Sequence, residues 1–452
     1  MKSTLFVLIT LSMVWCAPSY SKAAEAEKVS LPLEEAIAIA VKNNPEIAAA
    51  LFKKESSDAM VREARSGFIP QVDFVETFNR TTNPMWAFGA KLNQESIGTA
   101  DFNPETLNDP DAINNYNSAL MVTWPLYSGG KIYTAFKQAG KNREADMLMA
   151  DRTRQMVIAK TITLYMGMKL AQENLSVVNH SLESAKANLN MVASSFGSGF
   201  AVKSDLLRAQ VRIADLEQQS LQAESQTEIA QAALNAIMGS PDNNPLILTS
   251  PFEKCGPFSG EISQWIDKAL SNRPDLKMFQ CREEMARHEI RIAKSGHYPS
   301  IHLRGVYEKN SADFDHQEES YTVGAVMQMN LFKGFGIDSK IRNATASLSQ
   351  LQELMDGMKL GIRMETREAF LEAASSWQRI QVSQSALNQA DEGLRIVQNR
   401  YKTGLLTLVS LLDAELANQQ AKMSHKKALH DYKVAMAKLA LAAGTIDETF
   451  KF

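Results

Sequence analysis

The chain repeats itself. The stretch FGSGFAVKSDLLRAQ at 196–210 returns as YKTGLLTLVSLLDAE at 401–415, displaced by 205 positions. Phe196 meets Tyr401, Gly199 meets Gly404, and Leu206 and Leu207 meet Leu411 and Leu412. VTWPLYSGGKI at 122–132 faces MQMNLFKGFGI at 327–337 with the same displacement. Closer to the N-terminus the displacement is 229: GFIPQVDF at 67–74 faces GHYPSIHL at 296–303, and NNPEI at 43–47 faces NRPDL at 272–276. Four matches in one order describe a duplicated unit, with 24 extra residues in the first copy between Pro70 and Val122. Whatever fold results must be built from two similar halves.

Each half reads mostly as helix. Segments 31–66 and 263–295 place apolar residues at helical spacing, and Asn43, Asn44 and Pro45 predict a break or kink. Segments 130–195 and 336–400 lack proline and are rich in Ala, Leu, Gln, Lys and Glu. A helix of about 60 residues is on the order of 90 Å long, which suits a coiled coil or helical tube rather than a globular domain. Return helices are expected at 205–237 and 408–442, where Leu207, Ala214 and Leu221 sit at seven-residue spacing.

Between the helices the period changes to two. Val72, Phe74 and Phe78 alternate with Gln71, Asp73, Thr77 and Asn79. Leu120, Val122, Trp124 and Leu126 alternate with Asn117 and Thr123. Ile301, Leu303 and Tyr307 alternate with His302, Arg304 and Glu308. Tyr321, Val323, Ala325, Met327, Met329 and Leu331 alternate with Thr322, Gly324, Gln328 and Asn330. Each stretch has the length of a tilted strand crossing a bilayer, with one apolar and one polar face; a soluble half-buried sheet is the alternative. Four strands do not close a barrel, and an open edge in lipid costs several kcal/mol per unpaired backbone group. Eight strands from two chains would enclose only side chains, whereas twelve from three leave a lumen.

The N-terminus, MKSTLFVLITLSMVWCAPSYSKAAEA, has the charged start, short apolar core and small residues of a secretory signal, with cleavage expected between Ser21 and Ala24. Cys16 raises lipidation as an alternative, against which stands the bulky Trp15 before it. Export opens the option of a Cys255–Cys281 disulfide, with two separate buried thiols as the other reading. Formal net charge is −3 and the charged residues are mixed, so nothing points to nucleic acid. After the signal, no apolar run is long enough for a membrane helix; any crossing must use strands.

These features together resemble the TolC-like outer membrane efflux proteins. The residues that carry the likeness are LPLEEAIAIAVKNNPEIAAA after the signal and the two glycine turns, set in a doubled order of helix, strand, strand, long helix, turn and helix. The resemblance implies a mainly α protein with a membrane β-barrel part. Two tandem repeats would each carry long coiled-coil helices and give two strands to a trimeric twelve-stranded barrel. It implies a homotrimer set in the lipid of a Gram-negative outer membrane, with a helical tunnel in the periplasm. Its expected partners are a periplasmic adaptor and an inner-membrane pump of RND or ABC type. The function implied is a passive exit duct for efflux or type I secretion.

On that pattern the chain divides into a signal peptide (1–23), a first repeat (24–238), a linker (239–262), a second repeat (263–443) and a tail (444–452). Strands are expected at 68–80, 116–127, 299–308 and 320–332, an external loop at 81–115, and periplasmic tip turns at 196–204 and 400–407. The resemblance assigns adaptor contact to Ser198, Gly199 and Phe200 and to Thr403, Gly404 and Leu405, although the family's usual valine before the glycine is absent from both turns. It places the closed aperture at Asp205, Tyr401, Leu406, Ser410 and Asp413. Leu406 replaces the family's arginine and removes its ion pair; Ser410 replaces one of two aspartates, leaving a single acidic ring at Asp413. Asp205 also reads as a helix N-cap beside Ser204.

Other chemistry is thin. His425 and His430 are five apart and do not share a helical face, and the 21 methionines form no cluster with histidine. The acidic run DFDHQEE at 313–319 reads as a solvated external loop. No phosphate loop, catalytic triad order or Cys-x-x-Cys is present. Neither an enzyme nor a cofactor nor a metal is expected. The rival reading from another class is an exported structural or adhesive coiled coil, which needs no alternating strands between its helices.

Overall fold

The computed structural model describes residues 29–240, 246–252, 256–313 and 315–450. The signal sequence, Cys16, Cys255 and Phe452 lie outside the described residues. The first half runs β1 (Val29–Leu31), α1 (Leu33–Asn43), α2 (Pro45–Ser66), β2 (Gln71–Thr81), α3 (Pro84–Asn93), α4 (Pro104–Asn108), β3 (Ile113–Ser128), α5 (Lys131–Gly197) and α6 (Lys203–Ile237). The second runs β4 (Leu246–Leu248), α7 (Ile262–Asn272), α8 (Pro274–Lys294), β5 (Ser300–Ser311), β6 (Glu318–Gln328), α9 (Gly336–Lys402) and α10 (Leu408–Ala442).

The duplication is visible in the lengths. Helices α5 and α9 each have 67 residues, and α6 and α10 each have 35. The break between α1 and α2 falls at Asn44, whose side chain accepts from the Glu46 amide at 2.8 Å and donates to the Ile237 carbonyl at 2.8 Å. Pro45 occupies the first helical position, where a missing N–H costs nothing. Pro274 does the same after Arg273 in the second half.

Glycine marks the matched corners. Gly239 and Gly444, 205 apart, have φ of +67° and +68°. A Cβ on Gly239 would lie 2.5 Å from the Asn43 carbonyl oxygen, and one on Gly444 would lie 2.9 Å from the Arg273 backbone.

Strands β2, β3, β5 and β6 form one antiparallel sheet in that order, so the hairpins of the two halves join through β3 and β5. Register sets Phe74, Leu120, Tyr307 and Tyr321 in one row of one face. That face is open: Phe74 is 69% and Tyr321 79% exposed. The opposite face is polar and runs into a concave trough of about 1390 Å³, bordered by Ser128, Ser300, His302 and Gln328 of the sheet and by Lys131 and Lys340 of the helices. In a single chain β2 and β6 are unpaired edges. Among the described residues no helix is long and apolar enough to cross a membrane.

Where strand and loop bounds differ from the sequence reading, the reasons are local. Strand β6 stops at Gln328, so 329–332 are not strand. The expected linker 239–262 contains β4, which pairs in parallel with β1; three-residue strands are too short to show a period. The expected loop 81–115 contains α3, a 3-10 turn (Thr99–Phe102) and α4. Asn83 and Asn103 accept from amides of the helices they precede, and proline follows each as the first helical residue.

The main core lies where α1, α5, α6 and α10 meet, around Ile37, Ile158, Ile162, Tyr165 and Leu234. The Tyr165 hydroxyl donates to the Leu31 carbonyl at 2.8 Å, tying the β1–β4 ribbon to α5. Beside this core sits a charged knot. Arg273 grips Asp275 through Nη2–Oδ2 (2.7 Å) and Nε–Oδ1 (3.1 Å), reaches Glu365 at 2.6 Å, and donates to the Ala442 carbonyl at 3.3 Å. Arg152 lies 3.6 Å from Asp275 and donates to the Leu441 carbonyl at 2.9 Å. Both arginines therefore neutralise the negative C-terminal end of α10. Cys281 is a buried free thiol against Ala145 and Met278.

Candidate functional site

The two ends of the long hairpins have one geometry. Gly199 and Gly404 adopt φ of +81° and +73°, a left-handed conformation that glycine reaches without steric cost. Beyond each glycine the chain closes on the helix it has left: the Phe200 amide donates to the Ser195 carbonyl at 2.8 Å and the Leu405 amide to the Arg400 carbonyl at 2.9 Å. This is a Schellman-type stop, which satisfies carbonyls that the helix end leaves open. Ser198 Oγ donates to the Ser194 carbonyl at 3.0 Å, and Thr403 Oγ1 to the Arg400 carbonyl at 2.9 Å. The small hydroxyl residues are thus spent on capping. Phe200 (90% exposed) and Leu405 (74%) stand at the apices with their apolar surface uncovered.

Asp205 does not cap α6. The helix starts after Val202, which makes no side-chain cap, and Asp205 falls in the first turn with its amide donating to the Val202 carbonyl at 3.0 Å. A carboxylate there is favoured by the positive helix end. Its charge also reaches Tyr401, whose hydroxyl is pushed up by burial first and then by Asp205. Tyr401 packs on the cluster of Val192, Ala209, Leu408 and Leu411 that joins both hairpins near their tips. Ser410 is engaged by the α10 cap, its amide bonded to Thr407 Oγ1 at 3.4 Å and its hydroxyl 3.2 Å from the same atom. Leu406 is half-buried.

Asp413 is exposed. It borders a groove of about 430 Å³ between α6 and α10, with Leu207, Val211, Val409 and Leu412 as apolar lining. Arg208, 205 positions before Asp413, lies on the same groove. The repeat thus sets opposite charges at equivalent positions of its two copies.

Above the tips lies a polar belt that sequence reasoning missed. Arg212 binds Asp215 at 2.8 Å and Gln419 at 2.6 Å, and Gln419 donates to Gln219 at 2.9 Å. Asn188 donates to Glu415 at 2.6 Å, and Asn418 to Asp391 at 2.6 Å. Burial pushes the Glu415 carboxyl up from its ordinary range, partly offset by Asn188 and by the Arg212 charge. Buried polar residues in a coiled-coil seam fix which helix turns face one another. Gln219, Asn418 and Gln419 inside otherwise amphipathic helices were the available signal.

The comparisons with known proteins agree with this architecture. The profile of the outer membrane efflux protein family matches residues 36–240 and 265–445, one segment in each half. The chain is 23% identical to the proteases secretion protein PrtF of Dickeya chrysanthemi, over 93% of this chain and 89% of that one. It is 22% identical to the alkaline protease secretion protein AprF of Pseudomonas aeruginosa, over 96% and 89%. Among solved structures it resembles the Campylobacter jejuni CmeC outer membrane channel with a TM-score of 0.78 at 18% identity, covering 93% of this chain and 87% of that one. With the family profile matched in both copies of the repeat and the fold shared with a solved channel, this chain belongs to the outer membrane efflux protein family.

Proposed function

We propose that three copies of this chain close their four-stranded sheets into one twelve-stranded barrel in the outer membrane, with the long hairpins projecting into the periplasm. The observation that carries this reading is a sheet with an uncovered apolar face and two open edges, β2 and β6. In lipid such edges must be paired, and the polar face must meet water. The assembly is the exit duct of a tripartite efflux or type I secretion system. The family is one of channels and not of enzymes, so the energy comes from an inner-membrane pump reached through a periplasmic adaptor. Relatives named for protease secretion favour type I secretion among the duct roles.

At the tips, Phe200 and Leu405 offer apolar contacts to the adaptor, while Ser198, Gly199, Thr403 and Gly404 shape the turns that present them. The aperture lies between the α6 and α10 segments. Leu406 gives it an apolar collar, Asp413 an acidic ring and Asp205 beside Tyr401 a polar contact between the two hairpins, with Ser410 held in the α10 cap. Cross-linking in detergent-extracted outer membranes and single-channel recording test the reading. A trimer whose conductance rises when the aperture is opened by Leu406→Ser is expected; monomers alone, or a trimer silent in both forms, would reject it.

A further inference from the structure

The 24 residues that distinguish the first half from the second lie between β2 and β3, and they fold. Helix α3 presents Ala87 and Ala90, both buried, and Gln94 along one side. Gln94 Nε2 donates to the Asn114 carbonyl and to Asn115 Oδ1, each at 2.8 Å. Asn115 in turn donates to Asn310 Oδ1 at 2.9 Å. Asn115 and Asn310 belong to the polar face of the sheet, the same face that borders the trough. Asn310 is 1% exposed, more deeply covered than most of the face it lies on. Helix α3 lies against β3 and reaches β6 beyond it. The insertion therefore lies across the polar face at the far end of the sheet, and does not extend outward from the hairpin.

It is also held as a unit. Lys91 binds Asp101 at 2.7 Å, Asp101 accepts from the Gly98 amide at 2.7 Å, and Phe88 meets the Phe102 ring edge to face at 6.0 Å. On the side of α3 away from Ala87 and Ala90, Met85 is 80% exposed and Leu92 is also exposed, and Trp86 beside them is open too. A helix apolar all round is one that is covered on all sides. Among the described residues of a single chain nothing covers Met85, Trp86 and Leu92.

We propose that α3 is one third of a lid: the three copies meet on the barrel axis through Met85, Trp86 and Leu92 and close the outer mouth of the duct. The proposal rests on the trimeric barrel proposed above. Dimensions support the occupant. Twelve strands about 4.8 Å apart and tilted about 40° give a barrel roughly 24 Å across between backbones. A helix of about 10 Å diameter seated on the inner face of its sheet reaches most of the way across a radius of about 12 Å, so three such helices meet near the axis. Three copies of α3, each seated on its own sheet, therefore fill the opening, and the apolar side of each finds its cover on the other two. Cargo leaves by displacing the lids. This gives the duct a second closure at the end opposite the tips.

The test reads access to the polar face from outside. Thr123 lies on that face near the helical end of the sheet, paired with Gln71 and Arg304. Thr123→Cys is placed in a chain with Cys255 and Cys281 both changed to Ala. Intact cells are treated with a small membrane-impermeant maleimide or with a bulky polyethylene-glycol maleimide. Two lid variants are compared with the intact lid: 84–108 replaced by a short Gly-Ser linker, and Met85→Lys with Leu92→Lys. The second variant keeps α3 but brings six like charges to the axis. With the lid shut in all but about a tenth of molecules, bulky labelling rises about tenfold in both variants. Equal bulky labelling with and without the lid, in a chain that forms trimers, overturns the lid and leaves the duct standing. Failure of the small reagent to label Thr123→Cys in every variant overturns the duct and the lid together.

Discussion

Arg273→Met removes the centre of the charged knot while keeping the length of the side chain. Arg273 is 6% and Asp275 17% exposed at the side chain, so the pair is desolvated on both sides. The substitution leaves Asp275 with Arg152 at 3.6 Å as its remaining charged neighbour, and it removes the donor to the Ala442 carbonyl. Removing one partner of a buried pair costs about 3–5 kcal/mol. At roughly 2 cal/mol/K per residue, a cooperative unit of about 400 residues loses about 1 °C of Tm per kcal/mol, so the expected drop is about 3–5 °C. Arg273→Met with Asp275→Leu removes both charges and should regain most of that loss, since an apolar pair of similar volume is tolerated where a lone buried carboxylate is not.

Thermal unfolding of the detergent-solubilised protein, followed by circular dichroism, gives the three Tm values. The pH dependence supplies a second reading. Burial opposes ionisation of Asp275, but the hydrogen bonds from Arg273 and the charges of Arg152 and Arg273 win and hold its carboxyl below the ordinary 3.8. A lowered carboxyl stabilises the fold above its unfolded value, and that contribution is lost as the pH falls through the folded one. The gap between wild type and Arg273→Met should stay constant from neutral to mildly acid pH and close on stronger acidification. A double mutant no more stable than the single one, or a gap that widens in acid, would refute the account of the knot as a paired buried charge.

Glu415→Gln should raise Tm at neutral pH and leave it unchanged below pH 4.5: burial raises this carboxyl from 4.5, so its ionisation penalises the fold only as the pH rises above the unfolded value. Gly239→Ala should cost more than about 1–2 kcal/mol in the same melts, because φ is +67° and the new Cβ would meet the Asn43 carbonyl oxygen at 2.5 Å. Leu406→Ser should raise resting conductance in single-channel recordings and, in the chain with 84–108 replaced by the Gly-Ser linker, sensitise cells to large antibiotics such as vancomycin; unchanged conductance would move the constriction elsewhere. Asp413→Asn should weaken cation selectivity and block by multivalent cations, with assembly nearly intact, since the proposed trimer brings three like charges near one axis, where they attract cations.

Much of the architecture was legible because its signals are long or obligatory. Gly199 and Gly404 had to be glycine at a left-handed helix stop, so the repeat was readable across 205 residues. Alternation along β2, β3, β5 and β6 spans enough residues to register as a period of two. The misses are short or ambiguous. Asn83–Pro84 and Asn103–Pro104 read as loop punctuation, yet the same pairs are an N-cap followed by a first helical residue, and α3 and α4 follow them. Asp205 reads as a cap by type, but Val202 takes that place because the Gly199 turn fixes where α6 begins. The polar belt around Arg212 was invisible because the partners of Gln419 come from another helix, 200 and 207 residues away.

The equal lengths of the paired rods bear on how such a chain can change over time. Helices α5 and α9 are each 67 residues and roughly 100 Å long, and both must arrive at the tip with the same side turned toward the return helices. One inserted residue anywhere along either rod would advance its end by about 1.5 Å and rotate everything beyond it by about 100°. The seam of apolar and polar partners would then be out of step from that point to the turn. A single-residue insertion or deletion in a rod is therefore a frame error in three dimensions, much as it is in a reading frame. Length can vary more freely where no rod register must be kept, and the hairpin joining β2 to β3 is such a place. The 24 residues that tell the two halves apart sit there, where added chain leaves the register of the rods undisturbed.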